Sequence, residues 1–312
     1  VAFFLFGLVF GSFLNVCIYR MPRELSVVTP RSACPSCGKP IAAYDNIPVL
    51  SWLILRGKCR HCQARISARY AVVELLTGVF FTLAAVAALG KLPGSEPCTS
   101  CFASSTPFLF GAIKLSVFCF LLLGLIFTDA ETKLLPDLLT KPGIVLGLLF
   151  SLAVPIVDFC PGSLDDWPRM TWLLNSLAGA FLGAAFILGI ALLYEALRGV
   201  EGMGRGDVKL MALIGAFLGV RHTLLVLVLG ALGGSFFGVA LILVVWRKRL
   251  ARRRKRNSSE SASTASKRAW QSASLIYRNF EIPFGIFLGS AALFTAFWGG
   301  RVERLLGWFC GN

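Results

Sequence analysis

The stretch FLFGAIKLSVFCFLLLGLIFT (Phe108–Thr128), followed at once by Asp129, decides the fold class. It is 21 residues long and carries one charge, Lys114. A helix needs about 20 mostly apolar residues to cross a bilayer. The pattern therefore predicts a membrane span that ends on a carboxylate. Six further apolar runs flank it: Val1–Tyr19, Ala71–Leu89, Pro142–Val157, Trp172–Leu197, Thr223–Trp246 and Ile282–Trp298. The first has neither a basic stretch before it nor a small-x-small cleavage site after it, so it reads as a span rather than a signal peptide. One more helical run, KLMALIGAFLG, lies between Asp207 and Val220. It is short by the usual rule, so it crosses a thinned or water-filled region or re-enters. The expected fold is an all-α polytopic membrane protein of about eight transmembrane helices.

Composition agrees. The chain has 312 residues, of which 56% are apolar and 15% charged. A soluble domain carries about a quarter charged residues, and disorder needs low hydrophobicity. Both classes are excluded. The net charge of +15 is resolved by its distribution. Loops 20–70, 129–141, 198–209 and 247–281 hold 25 of the 31 Lys and Arg residues, and the intervening segments hold six. Rich and poor loops alternate, and basic loops stay in the cytoplasm. Both termini are therefore expected in the periplasm, with the four rich loops cytoplasmic. The basic, then Ser-rich, segment Arg247–Arg268 reads as a juxtamembrane anchor and flexible linker touching anionic lipid. It lacks the aromatic interleaving and fold motif of a nucleic-acid binder, so no nucleic-acid partner is expected. There is no internal repeat at a fixed period. The expected organisation is a first transmembrane helix (1–19), a hydrophilic cytoplasmic insert (20–70) and a membrane body (71–312) that includes the basic loop 247–281.

The insert carries Cys34-Pro-Ser-Cys37 and Cys59-Arg-His-Cys62, with 21 residues between the pairs. Each Cys-x-x-Cys offers one knuckle with two thiolates, and two knuckles complete a tetrahedral four-cysteine site. Disulfides are disfavoured in the cytoplasm. An insert this poor in core residues needs a staple. The expected ligands of a structural zinc ion are therefore Cys34, Cys37, Cys59 and Cys62, in a small zinc-ribbon-like unit with Gly38 and Gly57 suited to its turns. His61 reads as a solvated neighbour. Cys98, Cys101, Cys160 and Cys310 fall on the expected outer side, where one or two disulfides can form, with pairing open. Cys17 and Cys119 lie in apolar spans and read as core filler.

Only 16 residues are acidic. Asp129 sits at the cytoplasmic end of a span, in LIFTDAETKLLPD, and Asp207 opens the next cytoplasm-derived helix, in EGMGRGDVKLM. A carboxylate at membrane depth is costly and points to function. A lone one reads equally well as an interfacial charge. Two on one side suit aspartyl proteolysis, in which one activates water and the other, protonated, donates to the scissile carbonyl. Asp129 lies near a helix C-terminus and Asp207 at a helix N-terminus. The helix dipole therefore predicts Asp207 as the ionised partner. Gly202, Gly204 and Gly206 let the backbone approach closely. The Walker phosphate pattern is absent.

GSFLNVCIYRMP (Gly11–Pro22), the two Cys-x-x-Cys pairs, YDNIPVLSWLILRGKCRHC, RYAVVE (Arg69–Glu74), FTD…LPD and GMGRGDVKL occur in order along nearly the whole chain. Together they resemble the bacterial type IV prepilin peptidase family of GxGD-type aspartyl peptidases. The resemblance implies a multifunctional inner-membrane enzyme, both hydrolase and transferase. It would remove the basic leader of type IV prepilins or type II secretion pseudopilins and methylate the new N-terminal residue from S-adenosylmethionine. It maps the catalytic pair onto Asp129 and Asp207 and the metal ligands onto Cys34, Cys37, Cys59 and Cys62. The methylation half rests on the resemblance, since no Gly-rich dinucleotide signature is present. Glu74 and Asn46 are the polar residues first in line for the methyl-donor site, although an interfacial helix charge is the plainer reading of Glu74. Asp137, in LPD, orients substrate or serves a structural role, with the structural role preferred. The alternative from another class is a zinc-ribbon membrane scaffold of a pilus or secretion assembly, which has no use for the aspartate pair. Oligomeric state is not legible.

Overall fold

The computed structural model describes residues 1–89, 105–154, 169–199, 204–256, 266–268, 270–271 and 283–306. Backbone groups in a bilayer must hydrogen-bond within their own segment, and the apolar runs accordingly form helices. These are α1 (Ala2–Arg20), α3 (Arg69–Ala88), α4 (Ser105–Thr132), α5 (Asp137–Ala153), α6 (Arg169–Arg198), α7 (Arg205–Arg256) and α8 (Phe284–Leu306), with a short α2 (Leu50–Ile54) inside the insert. Among the described residues there is no β-strand, only two isolated bridges.

Among the described residues, six helices are long and apolar enough to cross a membrane. All eight expected runs are present as helix, and they reduce to six only in the counting. The 17-residue α5 is a little short. The short run after Asp207 and the long run after Thr223 are joined in α7, which breaks at Gly219 (φ 74°, ψ −178°). That left-handed backbone suits glycine. The break releases helix hydrogen bonds, and Asn175 Oδ1 on α6 accepts the Val220 N–H at 3.2 Å. The basic segment also departs from expectation. It opens as a helical continuation of α7 through Arg256 rather than as a loop, and its Ser-rich part, 257–265, lies outside the described residues.

Lipid supplies no hydrophobic drive between helices, so close packing of small residues must hold the bundle. A Cβ on Gly7 of α1 would stand 2.6 Å from the Gly78 Cα of α3, and one on Gly11 would stand 2.7 Å from the Glu74 Cα. Glycines at four-residue spacing therefore bring α1 and α3 into backbone contact. Gly179 of α6 is equally tight against Gly219, where a Cβ would lie 2.6 Å from the backbone. The shared core holds Leu14, Ile18, Leu122, Leu213 and Leu288, with Phe118 stacked on Phe217 at 4.8 Å. Cys17 and Cys119 are buried in it, as core filler should be. Phe6, Phe181 and Phe236 stand exposed on the outer faces, where lipid would lie.

Ion pairs gather at one end of the bundle. Arg69, at the start of α3, pairs with Glu131, near the end of α4. Lys209, in the first turn of α7, meets Asp137, the first residue of α5, at 2.5 Å. The N-terminus of α8 closes on Asp129 of α4. The insert, the end of α4 and the starts of α5, α7 and α8 therefore share one end.

Candidate functional site

Asp129 lies in the last turn of α4. The Lys133 N–H closes that turn on the Asp129 carbonyl at 3.0 Å, and Lys133 leaves the helix with φ 54°. Asp207 lies in the first turn of α7, where its N–H donates to the Gly204 carbonyl at 3.1 Å. Gly206 beside it packs on Leu135, three residues after Thr132, and a Cβ there would stand 3.0 Å from the leucine side chain. The LPD stretch thus lines the turn that presents Asp207.

Both carboxylates are withdrawn from solvent, Asp129 at 5% and Asp207 at 9% exposure. They face a common point. A Cβ built on Gly285 of α8 would stand 2.8 Å from Asp129 Oδ2 and 3.5 Å from Asp207 Oδ1. Asp129 Oδ2 also accepts the Ile286 N–H at 3.1 Å. Two residues 78 apart in the chain are therefore brought together under the N-terminus of a third helix. The dipole argument for an ionised Asp207 loses its force here. Asp129 also faces a helix N-terminus, that of α8, so helix polarity no longer separates the pair. The sequence reading passed over Gly285. Its signal is the unit Pro283-Phe284-Gly285, a proline before a helix start and a glycine inside the first turn, where glycine costs helix stability.

Around the pair, Asp137 binds Lys141 at 2.7 Å as well as Lys209. Lys141 and then Lys209 hold its carboxyl below the usual carboxylate range. Asp137 thus ties α5 to the start of α7, which bears Asp207. Gly202 and the four cysteines expected on the outer side, Cys98, Cys101, Cys160 and Cys310, lie outside the described residues.

The insert forms a second centre. In each knuckle a backbone pair closes the loop: Cys34 N–H to Lys39 O and Cys59 N–H to Ala64 O, both at 2.9 Å. The left-handed positions are Gly38 (φ 69°) and, in the second knuckle, Gln63 (φ 57°), while Gly57 (φ 64°) turns the chain into that knuckle. The four Sγ atoms lie within 4.8 Å of one another, and Cys34 and Cys62 are 3.8 Å apart. A tetrahedral ion with metal–sulfur bonds of about 2.3 Å needs sulfur separations of about 3.8 Å. The donor set therefore fits a tetrahedral thiolate-bound metal. The Cys37 and Ser36 N–H groups bring the Cys34 thiol down to about 6. At Cys62 the Ala64 N–H pulls downward, but desolvation and the other three thiols outweigh it and raise that thiol to about 11. A bound cation removes this mutual penalty. His61 is exposed and outside the cluster.

The insert is latched to the membrane body. Glu74 of α3, 9% exposed, accepts the Val49 N–H at 2.7 Å. Val49 is held at φ 61°, a left-handed conformation that a β-branched residue rarely adopts. Asn46 ends the turn Ala43–Asn46 three residues earlier and is exposed. Arg60 of the second knuckle grips Asp45 with three hydrogen bonds, Nε to Oδ2 at 2.8 Å and to Oδ1 at 3.1 Å, and Nη2 to Oδ1 at 2.6 Å. Arg60 holds the Asp45 carboxyl below its ordinary range.

Residues 5–88 match the bacterial peptidase A24 N-terminal domain, and residues 116–239 match the type IV leader peptidase family. Among curated proteins, the chain is 34% identical over 333 residues to a prepilin leader peptidase/N-methyltransferase of Aeromonas hydrophila, covering 99% of this chain and 93% of that protein. It is 32% identical over 328 residues to the protein of the same name from Burkholderia pseudomallei (strain K96243), covering 96% and 86%. It is 40% identical over 222 residues to that of Klebsiella pneumoniae, covering 69% and 83%. No solved structure matches.

Proposed function

The chain belongs to the prepilin leader peptidase/N-methyltransferase family, and on that premise we propose how its two centres divide the work. It is a membrane peptidase and N-methyltransferase. Asp129 and Asp207 are the catalytic pair that cuts the leader from a type IV prepilin or type II secretion pseudopilin. One ionised carboxylate takes a proton from water, and the water oxygen attacks the scissile carbonyl carbon. The other carboxyl donates to the carbonyl oxygen. When the C–N bond breaks, a proton passes to the leaving amine. The observation that carries this reading is the convergence of both carboxylates on one point beside Gly285.

The pair lies at the end of the bundle where the charge pattern puts the cytoplasm. A prepilin enters from lipid with its basic leader on that side, so its cleavage point meets the pair at the interface. In this topology the protein is a multi-pass protein of the bacterial inner membrane, with both termini periplasmic. The basic end of α7 contacts anionic lipid. Cys34, Cys37, Cys59 and Cys62 hold a structural zinc ion, all four positions being filled by thiolate. S-adenosylmethionine is the methyl-donor substrate. Glu74 and Asn46, at the junction of insert and body, are assigned to its side of the molecule.

The test is to incubate membranes with a prepilin and labelled S-adenosylmethionine and to take intact product masses. Loss of the leader and gain of one methyl group are expected. Normal leader removal by Asp129→Ala or Asp207→Ala would refute the assignment of the pair.

A further inference from the structure

We infer that Gly285 is a positioning residue of the peptidase site, kept without a side chain so that both carboxylates and the substrate backbone can meet at the N-terminus of α8. This rests on the assignment of Asp129 and Asp207 as the catalytic pair. A Cβ at 285 would stand 2.8 Å from Asp129 Oδ2, 3.1 Å from its Cγ and 3.5 Å from Asp207 Oδ1. No conformational need for glycine explains the residue, since its backbone is not among the left-handed glycines. Helix propensity disfavours it. The reason left is space, and the space belongs to the site. The atoms a side chain would displace are those of the Asp129 carboxylate, the movable end of a side chain, rather than a packed backbone, while Asp207 Oδ1 at 3.5 Å would be in ordinary contact with the added methyl. An added methyl therefore leaves the bundle standing and turns Asp129 off the line it shares with Asp207 and the Ile286 N–H.

The same helix supplies the control. Gly289 lies one turn on, where a Cβ would stand 2.6 Å from Ile126 Cγ1 and 3.0 Å from Ile126 Cδ1. Gly289→Ala disturbs helix packing more than Gly285→Ala does and touches neither aspartate.

The experiment measures leader cleavage in membranes holding the full chain, as kcat and KM on a prepilin. Methyl transfer to an already processed pilin is measured in the same membranes. The ratio of the two activities cancels any loss of folded protein. For Gly285→Ala the expected result is a fall in kcat of roughly 100-fold, the scale of a misplacement near 1 Å, with KM and methyl transfer held. Gly289→Ala keeps its ratio. A Gly285→Ala ratio within about twofold of the unmodified protein overturns the inference. An equal fall in both variants also overturns it, because packing alone would then account for the loss. Asp129→Asn and Asp207→Asn run alongside. If either cleaves normally, the catalytic pair itself is wrongly assigned, whatever Gly285→Ala does.

Discussion

Asp129 Oδ2 lies 3.1 Å from the Ile286 backbone nitrogen, although 157 residues separate the two in the chain. This contact joins the end of α4 to the start of α8 beside Asp207. It makes the pair of carboxylates a tertiary object rather than two interfacial charges.

Replacing either member of the pair should leave a folded, inserted protein that does not cut. Asp129→Asn and Asp207→Asn are each expected to lower leader cleavage by about 10³-fold or more, as when one member of a catalytic unit is removed. Methyl transfer to a processed pilin should persist. Intact mass of the two products reads both activities in one assay.

Removing the metal should separate the activities in the opposite sense. Cys34→Ser, or prolonged chelation of the unmodified protein, is expected to lower the zinc content measured by elemental mass spectrometry. Structural thiolate sites supply folding energy outright, so the insert loosens and methyl transfer falls first. Leader cleavage falling before methyl transfer would contradict this division of labour.

The latch between insert and body can be tuned from both sides. Glu74→Ala strands the Val49 N–H and should cost about 1–3 kcal/mol of insert docking, whereas Glu74→Gln keeps an acceptor and should cost less. Val49→Gly relieves a left-handed β-branched residue and should tighten docking by roughly 1 kcal/mol. Protease cleavage within residues 20–70, followed against urea, reports each change. Val49→Gly loosening the insert would show that its backbone is not strained.

The Asp137–Lys209 pair gives a pH prediction. The carboxyl is lowered by Lys141 and Lys209, so its contribution is present above the unfolded value of about 3.9. It is lost as the pH falls through the lower folded value. Asp137→Asn should therefore inactivate faster on heating at neutral pH, with the difference from the unmodified protein vanishing in strong acid. High salt should shrink it as well, because the pair is partly exposed. A difference that persists in acid would place the role of Asp137 elsewhere than in this ion pair.

Much of this molecule was legible in its sequence because a bilayer imposes simple rules. Lipid accepts only runs of apolar helix, so the spans from Val1 to Trp298 could be read from composition and length. Tetrahedral thiolate ligation fixes the Cys-x-x-Cys spacing, so the Cys34–Cys62 cluster could be read as a centre. The scarcity of acids singled out Asp129 and Asp207. The sequence could not say that α7 would break at Gly219 and then continue to Arg256, because helix ends at a membrane surface depend on neighbours as well as hydropathy. Nor could it show that Asp129 would also lie under a helix N-terminus, which removed the basis for ranking the two carboxylates. Gly285 as the neighbour of both, Val49 as the partner of Glu74, and Arg69 as the partner of Glu131 were decided only in the tertiary structure. Each is a contact between segments far apart in the chain. Such contacts are set by how glycine-lined helices pack, and no local pattern of residues encodes that geometry.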